Sequence, residues 1–204
     1  MEREVPFGWP PPSEASALIA PLFPLPRAWL FPHVMLPLHI FEARYRQMIE
    51  DTLDGPGRIV LGTIVNGHEH EHLGAPPVES IAGLGEIGRH ERLPDGRFQL
   101  LLVGLARVRI REVDSDRLYR RVEADPIDES IPPGEEHDAL RADVCTAIRA
   151  RVKEMEDVPE QVPLSALVDF LSLRLELPHQ VMQSLYSQVD PLERARLVLR
   201  CCNA

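Results

Sequence analysis

Along the first quarter of the chain, apolar residues come in short bursts cut by proline: Leu22-Phe23-Pro24-Leu25-Pro26, Leu30-Phe31-Pro32, then Met35-Leu36-Pro37-Leu38. Proline fixes φ at about −65° and donates no backbone hydrogen bond, which keeps it out of helices and central strands. The stretch therefore predicts extended pieces bent at Pro24, Pro26, Pro32 and Pro37, with strands over 17–25 and 35–40. At Phe41 the period changes. Tyr45, Met48, Ile49 and Leu53 fall on one helical stripe, predicting a helix over 42–53 that Gly55-Pro56-Gly57 ends. Arg58 to Val65 is a continuous β-branched run, as expected of a strand buried on both faces. A polar loop follows over 66–77. Strands over 84–93 and 97–103 flank Pro94-Asp95-Gly96, the signature of a hairpin turn. Residues 105–113 alternate, with Val108 and Ile110 on one face and Arg107, Arg109 and Arg111 on the other. A last strand is predicted over 119–127.

Pro132-Pro133-Gly134 marks a change of class. Beyond it Leu140, Val144, Ile148, Val152 and Met155 keep helical spacing, with acidic residues in the first turn where the helix dipole favours them. A second helix over 164–175 is apolar nearly all round and is expected to be buried. Pro178 opens a third, with Val181, Met182 and Leu185. Asp190-Pro191-Leu192-Glu193 opens a fourth, with an acidic cap, proline at the first helical position and Glu at the third.

The order Leu22-Phe23-Pro24-Leu25, Leu30-Phe31-Pro32, Leu36-Pro37-Leu38-His39-Ile40-Phe41-Glu42 and Arg44-Tyr45 resembles the opening of the Lon protease N-terminal domain family. Gly83-Leu84-Gly85-Glu86-Ile87-Gly88, Asp95-Gly96-Arg97 and the G-x-x-R element Gly104 to Arg107 extend the likeness, which reaches over roughly residues 17–200. Two positions depart from the family pattern. His33 stands where Gly is usual, and His adopts a positive φ only at some cost, so a change in the local turn is expected. Ala43 stands where Pro is usual, a mild change because Ala is a good helix former. The resemblance implies an α+β fold: an irregular lead-in over 1–16, a PUA-like β pseudo-barrel of about six strands with one helix over 17–131, and a C-terminal helical bundle over 132–204. It also implies a stand-alone member that ends where the ATPase of a full Lon enzyme would begin. The implied function is non-enzymatic binding of unfolded or damaged protein, or of a protein partner.

Composition narrows the chemistry. The 204 residues are 44% hydrophobic and 26% charged, with no apolar run near the ~20 residues of a membrane helix. The first ten residues lack the apolar core of a secretory leader, so a cytoplasmic location is expected. Cys145, Cys201 and Cys202 are odd in number and show no CxxC spacing, which fits free thiols. The net charge of −10 is spread along the chain and makes nucleic acid a poor partner. The one lysine, Lys153, follows Val152 rather than the Gly of a P-loop, and it sits beside Glu154 and Glu156 rather than in the apolar pocket of a Ser-Lys dyad. Neither ATPase nor protease chemistry is expected, no GxSxG elbow occurs, and no cofactor is implied.

Three stretches are candidates for function. His68-Glu69-His70-Glu71-His72 matches H-E-x-x-H, but Gly67, Gly74 and Pro76 bracket it, so a solvated loop is favoured over zinc held by His68, His70 and His72. Arg107, Arg109 and Arg111 could form a basic face for RNA in a PUA-like fold. No aromatic for base stacking lies among them and carboxylates are interleaved, so a solvated strand face is favoured. The third is the proline-bent opening. Phe23, Leu25, Leu38, Ile40 and Phe41 are assigned to the core, whereas Trp29, Phe31 and Met35 are the candidate anchors for apolar segments of other proteins.

Overall fold

The computed structural model describes residues 17–71, 74–132, 134–152 and 158–202. It separates into two compact units, divided between Ile127 and Asp128. The first holds strands β1 (Leu18–Leu25), β2 (Met35–Ile40), β3 (Arg58–Thr63), β4 (Ile81–Arg92), β5 (Phe98–Val113) and β6 (Arg121–Pro126), with helix α1 (Ala43–Leu53) between β2 and β3. The second holds α2 (Glu135–Arg149), α3 (Leu164–Arg174), α4 (His179–Ser187) and α5 (Pro191–Cys202). The architecture is α+β.

The strand order is β2-β5-β4-β3-β1-β6, and β6 also pairs with β5. Five strands thus close on themselves as a pseudo-barrel, while β2 lies on the part of the β5 edge that β6 leaves open. The pairing of β1 with β3 is parallel and the others are antiparallel. The sequence divides residues 98–113 into two strands at Gly104, but they form one strand of sixteen residues. A bulge absorbs the break: Ala106 lies opposite Leu84 and Gly104 opposite Gly85, so Leu105 is the extra residue.

The run Ile59-Val60-Leu61 shows why β3 is apolar without interruption. Ile59 and Leu61 enter a core with Phe23, Leu30, Tyr45, Met48, Ile49 and Leu102, whereas Val60 enters another with Ala20, Leu22, Leu84, Val108 and Val122. Alternate side chains point to opposite faces, so a strand between two cores must be apolar at every position. Full burial of each such side chain contributes roughly 1.5–3 kcal/mol. Helix α1 covers the first core with Tyr45, Met48 and Ile49, and Ala43 is its first residue.

In the second unit α2, α3 and α5 pack against one another, and α4 packs on α5. Helix α3 supplies Leu164, Leu167, Val168 and Leu171 to a core shared with Val144, Ile148, Leu185, Ala195 and Val198. The α2 stripe stops short of its expected length: the helix ends at Arg149, Val152 lies past it, and Met155 falls outside the described residues. Arg194 is fully buried. Its Nη1 donates to Glu129 Oε1 and to the Gln188 carbonyl, both at 2.7 Å, and its Nε lies 3.4 Å from Asp169 Oδ1. These contacts tie α5 to α3 and to the segment ahead of α2.

Asp190 caps α5 as its sequence implies. Its Oδ1 accepts from the backbone N–H of Leu192 at 2.8 Å and of Glu193 at 3.3 Å. Asp190→Ala is expected to remove about 1 kcal/mol of stability, lowering the melting temperature by ~3 °C. An unchanged melting curve would show that the cap is not needed. A larger loss is expected at Gly104. A Cβ built there would sit 2.0 Å from the Phe31 carbonyl oxygen, a contact that requires backbone movement. Gly104→Ala should therefore cost about 3 kcal/mol in urea denaturation, and a loss below about 1 kcal/mol would mean the loop yields freely.

Candidate protein-binding face

Strand β2 reads Met35-Leu36-Pro37-Leu38-His39-Ile40, and period-two alternation sorts it into two rows. Leu36, Leu38 and Ile40 turn inward against the α1 core. Met35, Pro37 and His39 turn outward and are exposed, and Phe41, the next residue in that row, follows the strand. Met35 is 62% exposed and Phe41 60%. The Phe41 ring stands edge-on to His39 at 6.0 Å between centroids. Opposite Met35 and Pro37 on β5 lie Val103 and Leu101, both half-buried. Residues directly opposite in an antiparallel pair project to the same side, so Met35, Pro37, Leu101 and Val103 form one apolar surface.

The three candidate anchors part company here. Met35 lies on the exposed row and Trp29 is half-buried. Phe31 is 0% exposed, which corrects its assignment as an anchor. The chain between β1 and β2 folds back on the sheet, burying Leu30 and Phe31 together. It does so through two left-handed residues, Arg27 at φ 51° and His33 at φ 64°. His33 thus takes the left-handed conformation that glycine adopts more readily. Phe41 is corrected in the opposite sense, from core to surface. Its bulk suggests the core, but the alternation that buries Leu36, Leu38 and Ile40 puts position 41 outside.

The arginine face is corrected as well. Arg107 is fully buried, with its guanidinium 5.2 Å from the Phe31 ring centre. The periodicity places it on the right side of β5, but the loop that carries Phe31 covers that side there. Arg109 is exposed, and Arg111 is paired with Glu123. Arg120 makes a two-pronged contact with Glu112, Nε to Oε1 at 2.7 Å and Nη2 to Oε2 at 2.6 Å. That hydrogen-bonded guanidinium holds the Glu112 carboxyl below its ordinary range. Of Arg107, Arg109 and Arg111, one is buried, one exposed and one ion-paired, so they do not form a row of cations facing solvent.

Next to it lies a cleft of about 410 Å³ whose lining includes Arg44, Tyr45, Gly74, Glu112, Tyr119 and Arg120. Arg44 donates to the Gly74 carbonyl at 2.7 Å and Arg120 to the Pro76 carbonyl at 2.6 Å, so both guanidinium groups hold the neighbouring loop. Burial pushes up the Tyr45 and Tyr119 hydroxyls, and for Tyr119 the Asp51 carboxylate that accepts its hydrogen bond at 2.9 Å adds to the effect. Neither tyrosine is activated for proton transfer near neutral pH.

The histidine stretch forms a short 3-10 turn over Glu69–Glu71. His68 Nδ1 lies 2.8 Å from Glu71 Oε1, and His70 is largely exposed. H-E-x-x-H chemistry needs both histidines on one helix face, and a turn of three residues does not provide one. His72 falls outside the described residues, among which no group of three or more His, Cys, Asp or Glu side chains is arranged to hold a metal ion. No helix among them is long and apolar enough to cross a membrane.

Comparison with known proteins places this geometry. A family model described as the ATP-dependent protease La (LON) substrate-binding domain matches residues 19–203. The Lon protease of Desulforamulus reducens is 25% identical over 185 residues, which are 85% of this chain and 22% of that protein. Lon protease 3 of Sorangium cellulosum is 29% identical over 147 residues, 71% of this chain and 17% of that protein. The chain spans about a fifth of the length of these curated relatives. Among solved structures, the N-terminal domain of Mycobacterium avium complex Lon protease superposes with a TM-score of 0.71 at 16% identity, covering 91% of this chain and 98% of that one. A Lon N-terminal domain protein from Xanthomonas campestris gives 0.67 at 22% identity, covering 90% and 98%. These structures share the fold, and the match of the family model over nearly all 204 residues establishes that the chain belongs to the Lon protease substrate-binding domain family.

Proposed function

We propose that this chain is a non-catalytic recognition module that binds apolar segments of unfolded or damaged polypeptides on the outward face of β2 and β5. The observation that carries this reading is the row Met35, Pro37 and Phe41 beside Leu101 and Val103, an apolar surface left open on a sheet whose inner faces are fully packed. Contiguous exposed apolar surface of this kind marks interaction sites in otherwise soluble folds. Trp29 contributes from the adjoining loop, where a partly exposed indole can gain contact area on binding. Family membership supports the same role. Arg107 in the core and paired Arg111 and Arg120 speak against the alternative of RNA held on the β5 face, because phosphate contacts need cations free to leave their partners.

Two measurements test this. With fluorescein-labelled β-casein as an unfolded probe, Met35→Ala and Phe41→Ala are each expected to weaken binding by ~2 kcal/mol, about thirtyfold, if they are anchors. Their stability should stay within about 0.5 kcal/mol of the parent, since both side chains are already exposed. In a Trp9→Phe background the emission of Trp29 should shift to the blue as casein binds. Failure of the parent chain to bind casein, or full affinity in both variants, would remove this face from consideration. Separately, the purified chain is expected neither to hydrolyse ATP nor to cleave casein. Turnover that follows the protein through successive columns would overturn the non-catalytic reading.

A further inference from the structure

Arg107 places a charge where an apolar side chain would fill the same space, and a buried charge is unfavourable unless its surroundings compensate it. Its guanidinium stacks on Phe31, and both side chains are 0% exposed. Three residues earlier, Gly104 accepts a hydrogen bond from the His33 N–H at 2.7 Å and donates one to the Val34 carbonyl at 2.9 Å. The stretch from Gly104 to Arg107 therefore grips the chain at Phe31, His33 and Val34, immediately before Met35 begins β2.

Strand β2 depends on such a grip. It is six residues long and stands at the end of the strand order, paired with β5. In a strand with two unlike faces, a slip of one residue turns the whole outward row inward. The grip sits one residue from the Met35 and Val103 pair, where the register starts.

We infer that Arg107, acting through Phe31, is a positioning residue that sets the register of β2 and with it the apolar row that meets a bound polypeptide. This rests on the binding role proposed above. It gives the G-x-x-R element of this chain two linked duties: Gly104 admits the Phe31 carbonyl, and Arg107 holds the Phe31 ring.

Arg107→Met separates register from stability. A methionine keeps an apolar side chain at the site but withdraws the guanidinium from the Phe31 ring, and the melting temperature, measured in parallel, gives any general loss of stability that the change brings. Affinity for fluorescein-labelled β-casein is expected to fall at least tenfold. Hydrogen exchange should rise at least tenfold over residues 35–41 while β3 and β4 keep their protection, a local change that a general loss of stability would not give. Phe31→Leu should behave alike, and the double variant should be no worse than either single one. Should Arg107→Met fail to fold, Phe31→Leu carries the same test. If the parent binds casein and the folded variant binds within twofold of it with unchanged exchange over β2, the inference is overturned and the binding role stands. If the parent does not bind, both fall.

Discussion

The approach of the Phe31 carbonyl to Gly104 is the contact on which the first unit depends. A side chain at position 104 would occupy the space of that oxygen, so only glycine lets the loop lie flat on β5. Once it does, Leu30 enters the α1 core, Phe31 covers Arg107, and His33 and Val34 bond to Gly104. The chain leaves this seat already aligned for β2. A backbone contact thus fixes which side chains of the next strand face water, linking a steric constraint to the chemistry of the surface.

The two units solve burial differently. The sheet places β3 between two cores and turns Met35, Pro37 and Phe41 to one outer row. The helical unit closes around α3 and holds a charged cluster inside, with Arg194 between Asp169 and Glu129. Removing one member of such a cluster leaves its partner buried and uncompensated, typically at about 3–5 kcal/mol. The first unit therefore offers contact area, and the second is bound internally by directional contacts.

Much of this was legible in the residues. Pro26 and Pro32 mark the loop between β1 and β2, while Pro24 and Pro37, expected at bends, lie inside those strands; the unbroken run over Ile59 to Leu61 marks a strand with two buried faces, and Asp190-Pro191 opens α5 where it is expected. Residue type alone places Phe23 and Ile40 correctly in the core but misplaces Phe31 and Phe41. Phe31 and Phe41 are the same residue type in neighbouring segments, and each lies where the sequence leads one to expect the other. Alternation along Met35 to Phe41 was enough to put Phe41 outside. Nothing local to Phe31 or Arg107 announces that they meet, because their contact spans the sheet and is made by a loop with no period to read. The continuity of β5 through Gly104 was hidden for a related reason: a glycine reads as a break, whereas here it admits a neighbouring backbone.

Pro37 has one more consequence. An apolar strand at a sheet margin is a template on which copies of the same protein can zip together, each extending the ladder of the last. A ring nitrogen in the middle of that margin removes a donor from the template, and the exposed His39 breaks its apolar run. Self-association by strand stacking is thereby made unfavourable, while side-chain contact across the face is untouched. The proline inside β2 thus costs the strand nothing on its paired side and leaves its outer margin one donor short.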